Sequence, residues 1–384
     1  MKTKYIASVV ISLLFFNCNS QEKLSDLIKT YKVDTLEACE KKAGYWYKGK
    51  CWANFDESEG ISISNIDNEV NRQMEIINNT KINIDGEAYP INFFFPEEDG
   101  EQMILITMFK KDNKTQTLLQ FADKNDLDLF GGKSKTNNVK TSAILINADI
   151  MTLDDNEETS AKLFNNPLAT GTFTATVNDL DKLDITFKGQ LKYTEDDTIA
   201  LISFKGNDVI TGSGNSSIEI KGNEAILNGT LGTVTYPQIK NLIRNHPEVK
   251  TLILGNIDGS VNDAVNMHTG RLVREANLTT KVLSNSEIAS GGVDLFCAGK
   301  KRIVNQGARI GVHSWGGGYF TATDIPKDHP AHQYQIEYFT MCLGAKQGLD
   351  FYFYTLSAAP FSDVHWMKDN EIKDWKVATQ FINQ

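Results

Sequence analysis

No Cys-x-x-Cys pair occurs among the five cysteines of this 384-residue chain, which excludes a zinc ribbon and a thioredoxin-like redox motif. No apolar run reaches the roughly 20 residues of a membrane-spanning helix; the one from Ile6 to Phe16 falls well short. Positive charge is in deficit, with 39 Lys and Arg against 49 Asp and Glu and a net charge of −10, a balance that argues against a nucleic-acid partner. The acidic blocks Pro96–Glu101, Asp154–Glu158 and Glu195–Asp197 lack calcium-loop spacing and read as solvated loops. Gly316-Gly317-Gly318 is followed by no Lys-Ser/Thr, so it reads as a loop and not as a phosphate cradle. His329 and His332 have no third ligand nearby in sequence and read as surface polar residues. Neither a metal nor a cofactor is expected.

What is present begins at the N-terminus. Lys2 and Lys4, the apolar run and then Asn17-Cys18 have the layout of a bacterial lipoprotein signal. On this reading residues 1–17 are a leader and Cys18 is acylated, tying the chain to a membrane on the side of the periplasm or cell surface. An ordinary secretory signal with an incidental cysteine is the alternative, and either one takes the protein out of the cytoplasm. Loss of Lys2 and Lys4 then takes the net charge from −10 to −12. An envelope compartment permits disulfides, and Cys39 and Cys51 enclose a loop with Gly44, Gly49 and aromatic residues that suits a stapled turn. Cys297 and Cys342 stand in apolar company and read as inert buried thiols.

Residues 18–58 read as a tether with the stapled turn. From 60 to 215, short β-branched and aromatic segments such as 91–95, 103–108, 172–177 and 183–187 alternate with Asp, Asn, Gly and Lys turns, the pattern of an antiparallel β-rich domain. Thr211-Gly-Ser-Gly-Asn215 marks a boundary. Beyond it strands and helices alternate: a helix opened by Pro237, an apolar strand 251–254, a helix capped by Ser260, a strand 278–283, a helix from Ser290 and a strand 308–312. Alternation of this kind builds an α/β domain with a largely parallel sheet over 216–384, so the whole chain is expected to be multi-domain α+β.

A serine hydroxyl becomes a nucleophile when a base takes its proton and donors hold the oxyanion that forms. Ser290 stands where a strand passes into a helix, Gly291 follows it, Gly259 ends a turn after an apolar strand, and His313 ends a strand one α/β unit later. Taken singly, Ser290 is a helix cap and His313 a strand-end histidine. Their order changes that reading. Leu252-Ile-Leu-Gly-Asn-Ile-Asp-Gly-Ser-Val261, Ile288-Ala-Ser-Gly-Gly-Val-Asp-Leu-Phe-Cys-Ala-Gly299 and Lys301-Arg-Ile-Val-Asn-Gln-Gly-Ala-Arg-Ile-Gly-Val-His313 resemble, in the right sequence, the oxyanion turn, nucleophile segment and histidine segment of the ClpP/crotonase-like superfamily, in particular its exported ClpP-like members.

The resemblance covers about 216–384 and implies a fold of repeated ββα units. It also implies a serine hydrolase or peptidase with Ser290 as nucleophile, His313 as base, Asp363 as orienting acid and the Gly259 and Gly291 N–H groups as oxyanion donors. Asp350 and Asp369 compete with Asp363. The implied partner is a peptide or protein substrate handled without ATP, and relatives of this kind form homo-oligomers. Ile257-Asp258 departs from the Pro-Gly of the family turn. That departure motivates a second expectation, a catalytically inactive envelope binding module whose β-rich domain holds a glycan or partner. Thioester chemistry of crotonase type is disfavoured, because an exported protein meets little coenzyme A.

Overall fold

The computed structural model describes residues 20–55, 65–79, the strands between 81 and 207, 212–317 and 320–382. Cys18 and the leader lie outside the described residues. The chain divides into two compact units, one joining the N-terminal residues up to Val70 with Ser216–Gln384, the other spanning Asn71–Asn215.

In the second unit, strands including Glu87–Phe94, Glu101–Phe109, Gln116–Ala122, Ala169–Val177, Leu183–Lys192 and Ile199–Asn207 pair antiparallel with their neighbours. The first unit carries the site.

Its α/β part is built from β1 (Ser217–Lys221), β2 (Glu224–Asn228), α1 (Thr235–Asn245), β3 (Thr251–Leu254), α2 (Asp263–Glu275), β4 (Thr279–Val282), β5 (Glu287–Ala289), α3 (Gly291–Ala298), β6 (Lys301–Asn305), β7 (Arg309–Val312), α4 (Gln333–Leu343), α5 (Ala345–Ala358), β8 (His365–Trp366), α6 (Asp369–Asp374) and β9 (Gln380–Ile382). One sheet runs β1-β2-β3-β4-β6-β9, antiparallel between β1 and β2 and parallel elsewhere. A second sheet runs β5-β7-β8, with β5 and β7 parallel. Leu252, Ile253 and Leu254 are all buried, as a parallel strand covered on both faces requires.

The two sheets advance together. Thr279 pairs with Lys301 in the first sheet and Glu287 with Arg309 in the second, the same step of 22 residues. Each strand–turn–strand–helix coil therefore lays one strand on each sheet. In the preceding coils the second sheet shrinks to single bridges, Leu231 to Ser260 and Ile257 to Ile288.

Two element boundaries differ from the sequence reading. Helix α1 starts at Thr235, with Pro237 third, where its missing N–H has no helical partner to lose. Helix α2 is capped by Asn262, whose side chain accepts from Val265 N at 3.2 Å, because the Ser260 hydroxyl is committed to the Asp263 carboxylate.

The N-terminal segment is no loose tether. Thr30–Tyr31, Tyr45–Tyr47 and Lys50–Trp52 form a small antiparallel sheet, and Cys39 and Cys51 are joined by a disulfide with a Cα–Cα distance of 5.5 Å. Gly44 has to be glycine, since a Cβ there would lie 2.6 Å from Cys51 Sγ. Trp52 is buried with its ring centroid 4.3 Å from that of His329. His329 Nε2 donates to Leu27 O at 3.1 Å, and Lys50 pairs with Asp328. This corrects the surface reading of the two histidines: His329 and His332 are both fully buried, His332 lying 2.7 Å from the Tyr352 hydroxyl. Cys297 and Cys342 are free and buried.

Candidate active site

Strand β5 delivers Ser290 through an abrupt turn into α3. Its backbone sits at φ 51° and ψ −124°, a region that suits glycine and strains any residue with a Cβ. Ser290 makes no side-chain cap bond to α3, so it does not play the ordinary part of a serine at a helix start. The turn is pinned from below by Ser290 N–H donating to Gly311 O on β7 at 3.0 Å. The glycines after it follow from crowding: a Cβ on Gly291 would lie 2.3 Å from Ser260 Oγ, and one on Gly292 would lie 2.8 Å from Ile257 Cγ2.

Gly259 faces the serine. At φ 152° it turns the chain after Ile257-Asp258, and a Cβ there would lie 3.3 Å from Ser290 Cβ and 3.7 Å from Ser290 Oγ. Its carbonyl accepts from Leu231 N at 2.9 Å, fixing the turn. Asp258, one residue earlier, takes a hydrogen bond from the Thr230 hydroxyl at 2.9 Å. Protein crowds this carboxyl although one edge reaches solvent, and the crowding raises its pKa. The Thr230 hydroxyl and the backbone N–H groups of Asp258 and Gly259 oppose that shift.

His313 follows β7, which lies beside β5 in the sheet. Its Nδ1–H donates to Ser314 O at 2.8 Å, which leaves Nε2 as the acceptor of the neutral ring. Ser314 is a firm support: it is fully buried, its N–H donates to Ala359 O at 2.9 Å, and its Oγ accepts from Ala322 N at 3.1 Å. Burial lowers the His313 pKa below the ordinary histidine value, while the Ser314 carbonyl and the Asp263 charge pull the other way.

Ser290 and His313 line one cavity of about 50 Å³, together with Asp263, Asp294 and Gln335. Met267, Val293, Phe339 and Leu356 supply apolar walls. Trp315 Nε1 donates to the Tyr352 hydroxyl at 3.0 Å, and the bond from Tyr352 to His332 braces that side. Ser290 Oγ and the His313 ring share the cavity without a hydrogen bond between them among the described residues.

The expected acid lies elsewhere. Asp363 is on an exposed turn, where its Oδ1 accepts from Val364 N at 2.8 Å, and it does not line the cavity. Asp350 is paired with Lys346, and Asp369 sits in the first turn of α6. The ring nitrogen that an orienting acid would engage is already bonded to the Ser314 carbonyl.

Sequence reasoning missed Asp263 and Asp294 as site residues. Asp263 opens α2, bonded by Ser260; Asp294 lies four residues past Ser290, one helical turn into α3. That i, i+4 spacing was the available signal for Asp294. Burial raises both carboxyls, and for Asp294 the neighbouring Asp263 charge raises it further. Asp263 keeps a solvent-exposed edge while protein packs around the rest of it, so the direction of its shift follows the crowding. Among the described residues no group of three or more His, Cys, Asp or Glu is placed to hold a metal ion.

No family model matches this chain, and no curated protein matches it. Solved structures similar to it include an enoyl-CoA hydratase/isomerase from Marinobacter aquaeolei, with 11% identity over 44% of this chain and 70% of that one and a TM-score of 0.30. An enoyl-CoA hydratase from Bacillus halodurans is similar at 12% identity over 44% of this chain and 73% of that one, TM-score 0.31. An enoyl-CoA hydratase from Bacillus anthracis is similar at 10% identity over 44% and 70%, TM-score 0.29.

Proposed function

We propose that the cavity between β5, β7 and α2 is the site of a serine acyl hydrolase, a peptidase acting on peptide or protein without ATP. The chain that carries it is exported and anchored through acylated Cys18. The observation that carries the catalytic reading is Ser290: a strained, uncapped serine facing a glycine turn and sharing its cavity with a histidine whose Nε2 is free to accept a proton.

In this mechanism Ser290 Oγ attacks the acyl carbon while His313 Nε2 takes its proton. The N–H groups of Gly259 and Gly291 hold the oxyanion. Collapse breaks the bond to the leaving group, which leaves with the proton from His313. Water, deprotonated by the same ring, then releases the acid and restores Ser290. The Ser314 carbonyl fixes the ring tautomer, a task for which the resemblance offered Asp363. Treatment with a fluorophosphonate probe tests the reading: wild type is labelled at Ser290, Ser290→Ala is not, and His313→Ala is labelled far more slowly. Equal labelling of wild type and Ser290→Ala sinks it. Recovery of a chain beginning with acylated Cys18 from a membrane fraction tests the anchor.

A second reading, an inactive envelope binding module, is favoured by Asp258, whose carboxyl draws on the Gly259 N–H that the oxyanion would need. It predicts that no probe labels Ser290 in wild type and that Asp258→Gly gains labelling.

A further inference from the structure

Helix α2 packs against α3, and one polar side chain crosses between them. Asn266, the fourth residue of α2, is only 1% exposed, and its Nδ2 donates to Gly291 O at 2.9 Å. Its Oδ1 is buried with no hydrogen-bond partner among the described residues. Turning the amide over offers no remedy, since its oxygen would then face the Gly291 carbonyl, one acceptor against another. A buried amide oxygen without a donor is costly, and leucine has the same branched outline with nothing to satisfy. Nor does α3 require the bond, because a carbonyl in the first turn of a helix takes its N–H from four residues on. What the buried asparagine gains is a hold on Gly291.

Gly291 directly follows the proposed nucleophile, and its N–H is one of the two oxyanion donors of the proposed function. Ser290 O accepts from Val293 N at 2.8 Å. In a planar trans peptide the N–H points opposite to the C=O, so the Gly291 N–H is turned out of the helix end. Keeping it there requires a grip on the residue that carries it. Gly291 and Gly292 have no side chains to supply one, because Ser260 and Ile257 leave no room for a Cβ, and two successive glycines restrain the backbone weakly. On one side the Ser290 N–H is anchored to Gly311 O on β7; on the other the Gly291 carbonyl is anchored to α2. We infer that Asn266 is a positioning residue: by clamping the Gly291 carbonyl it fixes the turn after Ser290 and aims the Gly291 N–H at the oxyanion. The catalytic part of this assignment rests on the hydrolase reading, whereas the clamp on Gly291 stands on the hydrogen bond alone.

Asn266→Leu tests the assignment, with fluorophosphonate labelling of Ser290 resolved into the reversible affinity for the probe and the maximal labelling rate. The maximal rate is expected to fall by about tenfold to a hundredfold, the scale of a misaimed oxyanion donor, with the affinity unchanged and Tm no lower than that of wild type. Val273→Ala, at a buried position two turns further along α2, is the control: it should lower Tm and leave the labelling rate as it was. A wild-type rate in Asn266→Leu overturns the inference, and so does a loss of rate that Val273→Ala reproduces. If Asn266→Leu does not fold, Asn266→Ser, whose hydroxyl is one bond shorter and falls short of Gly291 O, takes its place with the same expected loss of rate. Nuclear magnetic resonance on Ser290→Ala protein separates the two claims. There the Gly291 carbonyl-carbon and Gly292 amide resonances should shift on adding Asn266→Leu and stay in place on adding Val273→Ala. If wild type is not labelled at all, the hydrolase reading falls and these resonances decide the clamp, which unchanged positions would overturn.

Discussion

The strained turn at Ser290 can be measured as stability. A non-glycine residue held at φ 51° and ψ −124° costs roughly 1–3 kcal/mol. Ser290→Ala removes the hydroxyl and keeps the Cβ, so it keeps the strain; Ser290→Gly removes both. Glycine gives back roughly 0.5–1 kcal/mol through the greater freedom of the unfolded chain. The glycine variant is therefore expected to be more stable than the alanine variant by about 1 kcal/mol at mid-range and by up to about 2.5 kcal/mol. At about 2–4 °C per kcal/mol for a unit of this size, that is a rise in Tm of roughly 2–10 °C. Both variants lack the nucleophile, so any difference between them is conformational, and the fluorophosphonate probe should label neither. Scanning calorimetry on matched samples reads the difference. A glycine variant that melts at or below the alanine variant would refute the claim that the fold holds Ser290 under strain.

Burial lowers the His313 pKa, so its neutral, proton-accepting form should survive below the ordinary histidine value. The acid limb of fluorophosphonate labelling is expected below pH 6.5, and an inflection above that value would contradict the burial of the ring. His332 is held down to about 4, mainly by burial; on acidification the unfolded chain takes its proton first, so the fold loses stability as pH falls from about 6.5 to about 4. The loss should approach roughly 3 kcal/mol, and urea titrations across that window should show a smaller loss in His332→Asn. Gly291→Ala drives a Cβ into Ser260 and should cost roughly 1–3 kcal/mol along with Ser290 labelling; wild-type stability and labelling would count against the packing described. Opening the Cys39–Cys51 bridge, which spans 12 residues, should cost about 3 kcal/mol and expose Trp52, seen as a red shift in its fluorescence on mild reduction.

Much of the α/β part was readable because its signals are local. The apolar run Thr251–Leu254 and the small residues around Ser290 place a buried strand and a tight turn whatever surrounds them. The pairing of β5 with β7 then sets Ser290 and His313 on one cavity. What failed was non-local. Asp363 follows His313 at a plausible distance along the chain, but the Ser314 carbonyl already holds the ring nitrogen it was meant to engage. Asp263 looks in sequence like any carboxylate in a first helical turn, and nothing local reveals that α2 brings that turn to the same cavity. His329 read as a surface residue because the covering Trp52 and Leu27 belong to a segment far away in sequence, and His332 because its cover, Trp315, Tyr352 and Phe353, comes from other elements.

The common step of the two sheets makes the site a matter of counting. Ser290 and His313 each follow the second-sheet strand of their coil, and adjacent strands lie only about 4.8 Å apart. Nucleophile and base are thus near-equivalent positions of successive coils, brought together by the pitch of the winding. A residue inserted in the turn at Gln306-Gly307, outside the paired strands, can be absorbed there. One inserted within Arg309–Val312 would swap the faces of everything beyond it and turn His313 away from Ser290. Between the two residues, length can change in the turn and is fixed within the paired strands.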